Sequence, residues 1–478
     1  MKISMVALVC CLWSTAVLGA GGDSRPWAYG PYGVGFETLS THDYARRYKA
    51  TGSNSFGPRP MQMGIWYPAS SEDTGTLLTP AYFQALAAEV ETMAPVLSGD
   101  SEAKDLDPRV PAFQTRLGAN RQAGHFPLVL YASAQGSGGY GNALLCELLA
   151  SHGFIVATVA SKGAYSRAMP FNAEGAEAQF RDLEFIYGAL HDYPQIQHDN
   201  VSVFGFSFGG LNMIPFSVRH PEVRAMVALD GSIPIGLDLV EAYRFLDIGE
   251  QRTPLLAFIG DKMGLADYGT YLEKTPLAAA DLFKTVDLTH YDFSSLNLRN
   301  TQRPPTVRDT YRAMANLTVA FIVQHSQGGR GYDSLRKEAP RTMFPETQFR
   351  AAQAEPQIGR AEYIQLVMTE GLDAAITMYE ETRRDFPEYQ LFEYGAFRDV
   401  GFRLMLQNNF DDAVRAFRVL HDAYPEEADS HRRLGEALMM AGQYTEARAI
   451  LRRGLELDPD SPALQDILRI LAEKESGR

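Results

Sequence analysis

Between residues 61 and 324 short apolar runs alternate with longer stretches whose apolar positions recur at helical spacing. Residues 61–68 alternate like a half-buried strand that stops at Pro68. Residues 126–132, 154–160, 224–229 and 254–259 read as further strands, and Val201 to Phe204 as a strand leading into a glycine-rich turn. Between them, residues 81–96, 142–151, 176–190 and 316–324 read as helices. Residues 23–60 carry several Gly, Pro and Tyr residues and predict irregular structure with edge strands, while residues 99–124 predict a polar loop. Strands separated by helices of this length require right-handed crossovers and a mostly parallel sheet, with functional groups at the carboxyl ends of the strands. The predicted fold class is an α/β sandwich.

From about residue 357 the strand pattern ends and the helical period takes over. Pro425 and Pro459 lie 34 residues apart, as do Phe410 and Tyr444, Ala413 and Ala447, Gly401 and Gly435, Leu404 and Leu438, and Phe417 and Leu451. This spacing resembles the tetratricopeptide repeat, with Phe397 and His431 where the usual tryptophan stands. An earlier unit (Leu366, Ala375, Tyr379, Pro387) lacks the glycine, and residues 461–471 predict a capping helix. The resemblance implies an all-α domain of stacked hairpins that either docks a protein or peptide partner or packs on its neighbour. The polar, proline-containing stretch between Pro340 and Pro356 places the junction. The expected organisation is a leader over 1–20, the α/β domain over 21–345, a linker over 346–356 and repeats over 357–478.

The leader reading rests on Lys2, a mostly apolar run over residues 3–18, and Gly19-Ala20-Gly21-Gly22 as a cleavage region. That pattern predicts a secretory signal peptide and a secreted or periplasmic protein with no membrane span after its removal. A net charge of −14 argues against nucleic acid as a partner. Of three cysteines, Cys10 and Cys11 fall in the leader, and Cys146 sits in an apolar helical pattern that predicts core packing. No metal-ligand spacing, dinucleotide fingerprint or phosphate loop is present, so neither a metal nor a cofactor is expected.

The candidate chemistry lies at Gly205-Phe206-Ser207-Phe208-Gly209, directly after an apolar strand and directly before a helical pattern. A sharp strand-to-helix turn lifts such a serine clear of the backbone, and the helix start favours developing negative charge. A serine hydroxyl needs an imidazole to take its proton and an acid to fix the imidazole tautomer. Among the histidines that follow, His220 ends a helix and reads as structural, and His325 lies in or just after the closing helix. His290 falls in a loop after the last strand region, where a base is needed. Asp230 and Asp261 each end a strand on the correct side of Ser207, and spacing alone does not separate them. The oxyanion requires two N–H donors, one from Phe208 and one from the glycine-rich turn after residue 132.

Residues 30–335 resemble platelet-activating factor acetylhydrolase and the dienelactone hydrolase-like esterases. The carriers are Ile65-Trp66-Tyr67-Pro68-Ala69, Leu149-Ala150-Ser151-His152-Gly153-Phe154, the Ser207 turn with Gly210, Ala228-Leu229-Asp230, and His290. The resemblance implies an α/β-hydrolase that cleaves carboxylic esters, with short-acyl or lactone-like substrates favoured. It also implies Asp230 as the acid and Gln135 as the second oxyanion donor. The sequence departs from the pattern at Ser133-Ala134, where relatives have His-Gly, and at Phe206, where many have His. The competing expectation is an interaction protein acting through its repeats, with a catalytically idle hydrolase scaffold.

Overall fold

The computed structural model describes residues 26–50, 52–70, 75–88, 110–243, 246–299, 303–354, 358–387 and 389–475. The predicted leader, the end of the helix expected over 81–96 and part of the loop expected over 99–124 lie outside the described residues. The chain forms two compact units, Met1–Gln353 and Ala354–Arg478.

The first unit is built on one sheet. In chain order its strands are β1 (Gly33–Tyr48), β2 (Gly57–Ala69), β3 (Thr76–Leu77), β4 (Thr115–Leu117), β5 (Phe126–Ala132) and β6 (Ile155–Val159). They continue with β7 (Ile196–Phe206), β8 (Val223–Leu229), β9 (Leu255–Ile259), β10 (Ala280–Lys284) and β11 (Glu346–Arg350). The order across the sheet is β11-β10-β9-β8-β7-β5-β6-β2-β1-β4-β3. From β6 to β10 every neighbouring pair is parallel, while β2 runs antiparallel to β6, and β11 to β10. All seven residues of β5 are buried, as expected of a strand covered on both faces.

Helices α1 (Pro80–Ala88) to α8 (Gly331–Lys337) cover the two faces. On one side α2 (Ala143–Ser151) and α7 (Pro305–Gln327) pack on Trp66, Val129, Tyr131 and Phe204. On the other, α3 (Ala173–Ala189), α4 (Phe208–Arg219), α5 (Ile233–Glu241) and α6 (Gly269–Lys274) meet Ile65, Leu128, Leu130 and Val203. Alternate residues of one strand thus feed two separate cores, as the strand period of two requires. Cys146 is fully buried on α2, and burial raises its thiol pKa well above the ordinary range, which fits core packing and not reactivity.

Two sequence expectations are corrected here. Residues 33–48, expected as irregular structure with edge strands, form one long strand. The glycine that reads as a loop signal, Gly35, pairs across from Tyr67, and a Cβ there would come within 2.1 Å of the Tyr67 ring. The expected linker over 346–356 begins with β11, so the α/β unit runs to Gln353 and not to residue 345. The strand is mostly polar because it is an edge, which charged side chains protect from further pairing. Arg350 at its end donates to the carbonyls of Thr275 and Ala278 at 2.6 and 2.5 Å, and to that of Leu272.

The second unit is all helical: α9 (Arg360–Thr369), α10 (Leu372–Asp385), α11 (Tyr394–Leu406), α12 (Phe410–Ala423), α13 (Ala428–Met440), α14 (Tyr444–Leu457) and α15 (Pro462–Glu475). The 34-residue offsets recur as helix starts, 394 to 428 and 410 to 444. Their physical reason is visible at the glycines. A Cβ on Gly401 would lie 2.4 Å from the Phe417 ring, and one on Gly435 would lie 2.4 Å from Leu451 Cγ. Gly435→Val is therefore expected to destabilise the repeat unit by about 1–3 kcal/mol through overpacking, outweighing any gain in helix propensity. Gly395→Ala, where a Cβ meets nothing within 4 Å, should cost nothing. Urea unfolding of both variants followed by circular dichroism measures the contrast.

Candidate active site

Strand β7 delivers Ser207 at its carboxyl end, and α4 starts on the next residue. Ser207 has φ 57° and ψ −123°, a conformation in which a non-glycine residue is strained. The turn closes only because its flanks lack side chains. A Cβ on Gly205 would lie 2.4 Å from the Gly209 carbonyl, and one on Gly209 would lie 2.0 Å from the Ala132 oxygen. The Ser207 N–H donates to Leu229 O at 3.1 Å, and the N–H groups of Gly210 and Ser232 donate to Ser207 O, so three segments fix the turn.

The structure brings together three of the residues singled out in the sequence. His290 Nε2 lies 2.9 Å from Ser207 Oγ. His290 Nδ1 lies 2.5 Å from Asp230 Oδ2. Asp230 is 2% exposed, and its other oxygen accepts the Gly260 N–H at 2.7 Å. Asp230 itself has φ 43°, which turns its carboxylate back from the end of β8 towards the neighbouring strand ends. Asp261 is exposed, with its nearest cation Lys262 at 3.5 Å, and takes no part in the cluster. His220 is held between Glu184 and Glu222 at 3.0 Å each, and those carboxylates outweigh burial to raise its pKa. His325 lies inside α7 with its ring 4.5 Å from that of Phe321.

Gln135 sits in the turn after β5, where its side-chain Nε2 donates to Met169 O at 2.7 Å. Phe208 opens α4 and is fully buried. Among the described residues neither of these two backbone N–H groups has a hydrogen-bond acceptor. Phe206, the departure before the nucleophile, places its ring 5.1 Å from the His290 ring. Two exposed aromatic side chains stand beside the site: Phe171 packs its ring 4.9 Å from that of Phe208 while remaining 41% exposed, and Tyr291 places its ring 5.9 Å from that of His290.

Residues that hold the histidine escaped the sequence reading. Thr289 and Asp292 form a capping box around the short turn His290–Phe293, with Asp292 Oδ2 accepting from the Thr289 N–H at 2.8 Å and its hydroxyl at 2.6 Å. Arg303 pairs with the same carboxylate. Downstream, the Ser295 N–H donates to Asn142 Oδ1 at 3.1 Å, and the Ser294 and Ser295 hydroxyls donate to Gly141 O at 2.8 and 3.0 Å. The spacing Thr289-x-x-Asp292 was a readable capping signal. The Asn142 contacts span 153 residues and leave no local trace.

Among the described residues no group of three or more His, Cys, Asp or Glu side chains could hold a metal, and no helix is long and apolar enough to cross a membrane.

The strand order, the parallel central strands, the strand-to-helix turn and the helices on both faces define an α/β-hydrolase sandwich, followed by a helical repeat unit. A tetratricopeptide repeat family model matches residues 404–471. A ferulic acid esterase from Streptomyces cinnamoneus is similar in structure, at 18% identity and a TM-score of 0.49, covering 69% of this chain and 98% of that one. No curated protein matches the chain.

Proposed function

We propose that the chain is a serine hydrolase that cleaves carboxylic esters through an acyl-enzyme. The observation that carries this reading is the continuous hydrogen-bonded chain from Ser207 Oγ through His290 to the buried Asp230 carboxylate. In the reaction Ser207 Oγ adds to the ester carbonyl carbon while its proton passes to His290 Nε2. Asp230 stabilises the imidazolium and keeps its Nδ1–H directed inward. The N–H groups of Phe208 and Gln135 receive the oxyanion. The C–O bond to the alcohol then breaks, His290 gives its proton to the leaving oxygen, and water repeats the cycle to release the carboxylic acid.

Several other observations support the reading. The strained φ at Ser207 aims the hydroxyl out of the turn, and Phe171 and Tyr291 offer apolar surface beside it to the ester. The resemblance to the acetylhydrolase and the dienelactone hydrolase-like esterases favours short-acyl or lactone-like substrates. The predicted leader supports a place for the enzyme outside the cytoplasm, and the repeat pattern supports docking of a protein or peptide partner or packing as a support.

Reaction with a fluorophosphonate probe tests the proposal. Stoichiometric labelling of Ser207, lost in a heat-denatured sample, is the expected result. A folded protein that takes up no label and hydrolyses no activated ester would leave the repeat-based interaction protein with an idle scaffold as the better reading. The repeats offer no nucleophile to the chemistry, and β11 closes the α/β unit before residue 354. A chain ending at Gln353 is therefore expected to hydrolyse p-nitrophenyl acetate within about tenfold of the full chain, or about 1.4 kcal/mol in barrier. A soluble, monodisperse and inactive truncated protein would show that the repeats help build the site.

A further inference from the structure

The two N–H groups assigned to the oxyanion come from segments far apart in sequence, the turn after β5 and the first turn of α4. A tetrahedral oxyanion is held well only if both donors stand about 2.7–3.1 Å from the same point, so something must fix one segment against the other. Backbone contact does part of this, because Gly209 packs directly on the Ala132 and Ser133 carbonyls. The remainder is a run of two buried amides. Gln179 on α3 donates its Nε2 to Ser133 O at 2.7 Å. Asn212 on α4 donates its Nδ2 to Gln179 Oε1 at 2.7 Å and to Phe208 O at 3.0 Å. Ser133, two residues before Gln135, is thereby tied to Phe208 itself.

We infer that Gln179 and Asn212 are positioning residues that set the separation of the two oxyanion donors, an inference resting on the proposed hydrolase reading. Their surroundings argue against a role in stability alone. Gln179 is 3% exposed and Asn212 is 0% exposed, in a layer otherwise filled by residues such as Phe180, Leu183, Leu211 and Ile214. Asn212 Oδ1 is buried with no hydrogen-bond partner among the described residues. An unpartnered buried amide oxygen costs stability, a cost that packing alone does not require. The chain's polarity is also dictated by its ends. Ser133 O lies outside a helix and receives the Gln179 N–H, and the Gln179 oxygen in turn receives the Asn212 N–H, so a carboxamide on each helix carries donor and acceptor along the run. Neither amide reaches the substrate. Both act through backbone that does.

The test uses the full chain, with Gln179→Met, Asn212→Leu and the double variant, each assayed on p-nitrophenyl acetate alongside its melting temperature. A trifluoromethyl ketone, which forms a tetrahedral adduct with the serine, serves as the second probe. Loosening one donor should lower kcat by about 10- to 100-fold with KM within about twofold. The affinity for the ketone should fall by a similar factor. The double variant should melt above Gln179→Met, since the Asn212 amide is no longer left without its partner, yet keep the low kcat. Wild-type kcat and ketone affinity in the folded single variants would overturn the inference. So would a double variant whose kcat recovers together with its melting temperature, and that variant decides the matter if a single replacement fails to fold. A wild-type protein that takes up neither fluorophosphonate nor ketone would instead overturn the hydrolase reading beneath it.

Discussion

Ser207→Ala is expected to lower kcat on an activated ester by at least about 10⁴-fold, or about 5.5 kcal/mol in barrier, with the fold unchanged. The magnitude follows from how the site is joined. His290 Nε2 has Ser207 Oγ as its partner at 2.9 Å, and without it the imidazole has no proton to accept. His290→Ala should therefore cost about as much as Ser207→Ala, and the double variant little more, because the parts act as a unit. Residual activity would come from the Phe208 and Gln135 N–H groups and from substrate binding alone. Removing the hydroxyl also relieves no packing, since the turn is held by backbone bonds at Ser207 N and O. Turnover measured by burst and steady-state kinetics on the purified variant, with circular dichroism as control, decides the point. Activity above a tenth of wild type would remove Ser207 from the mechanism.

The proposed nucleophile and base could be singled out in the sequence because their signals are local. A glycine-flanked serine between an apolar strand and a helical period specifies the turn, and β5 could be read to its observed ends, Phe126 and Ala132, from an unbroken apolar run. What could not be read depends on pairing across long separations. β1 is a strand because β2 pairs along nearly its whole length, not because its own residues favour one, and β11 is polar because it lies at an edge. The amides Gln179 and Asn212 look like ordinary polar positions of two amphipathic helices until α3 and α4 pack together. In the repeats the opposite holds. Each hairpin contacts its neighbours in sequence, so the period of 34 residues carried the architecture without any long-range information.

The proposed acid is the residue on which the sequence was most evenly divided, and there the geometry yields the sharpest expectation. Asp230→Asn should lower kcat/KM by about 10³- to 10⁴-fold, while Asp261→Asn should change it by less than about twofold. Strand spacing sets up the difference. β8 is the immediate neighbour of β7, so Asp230 lies about 4.8 Å to the side of the nucleophile strand, whereas Asp261 ends β9, one strand further out. The positive φ at Asp230 and the Gly260 N–H at 2.7 Å then aim its carboxylate at His290 Nδ1. Room for that carboxylate is itself tight, since a Cβ on Gly260 would stand 3.0 Å from all three of its terminal atoms. An asparagine in this place keeps the volume but can present N–H to Nδ1, which favours the tautomer with its proton on Nε2, facing the serine it should deprotonate. Asp261 offers only an exposed pairing with Lys262 at 3.5 Å, worth about 0–1 kcal/mol of stability and nothing to the imidazole. Comparing kcat/KM of the two asparagine variants on one substrate tests the assignment. An Asp261→Asn enzyme crippled beside a near-normal Asp230→Asn enzyme would mean that the histidine turns towards β9 during turnover, and the acid would have to be reassigned.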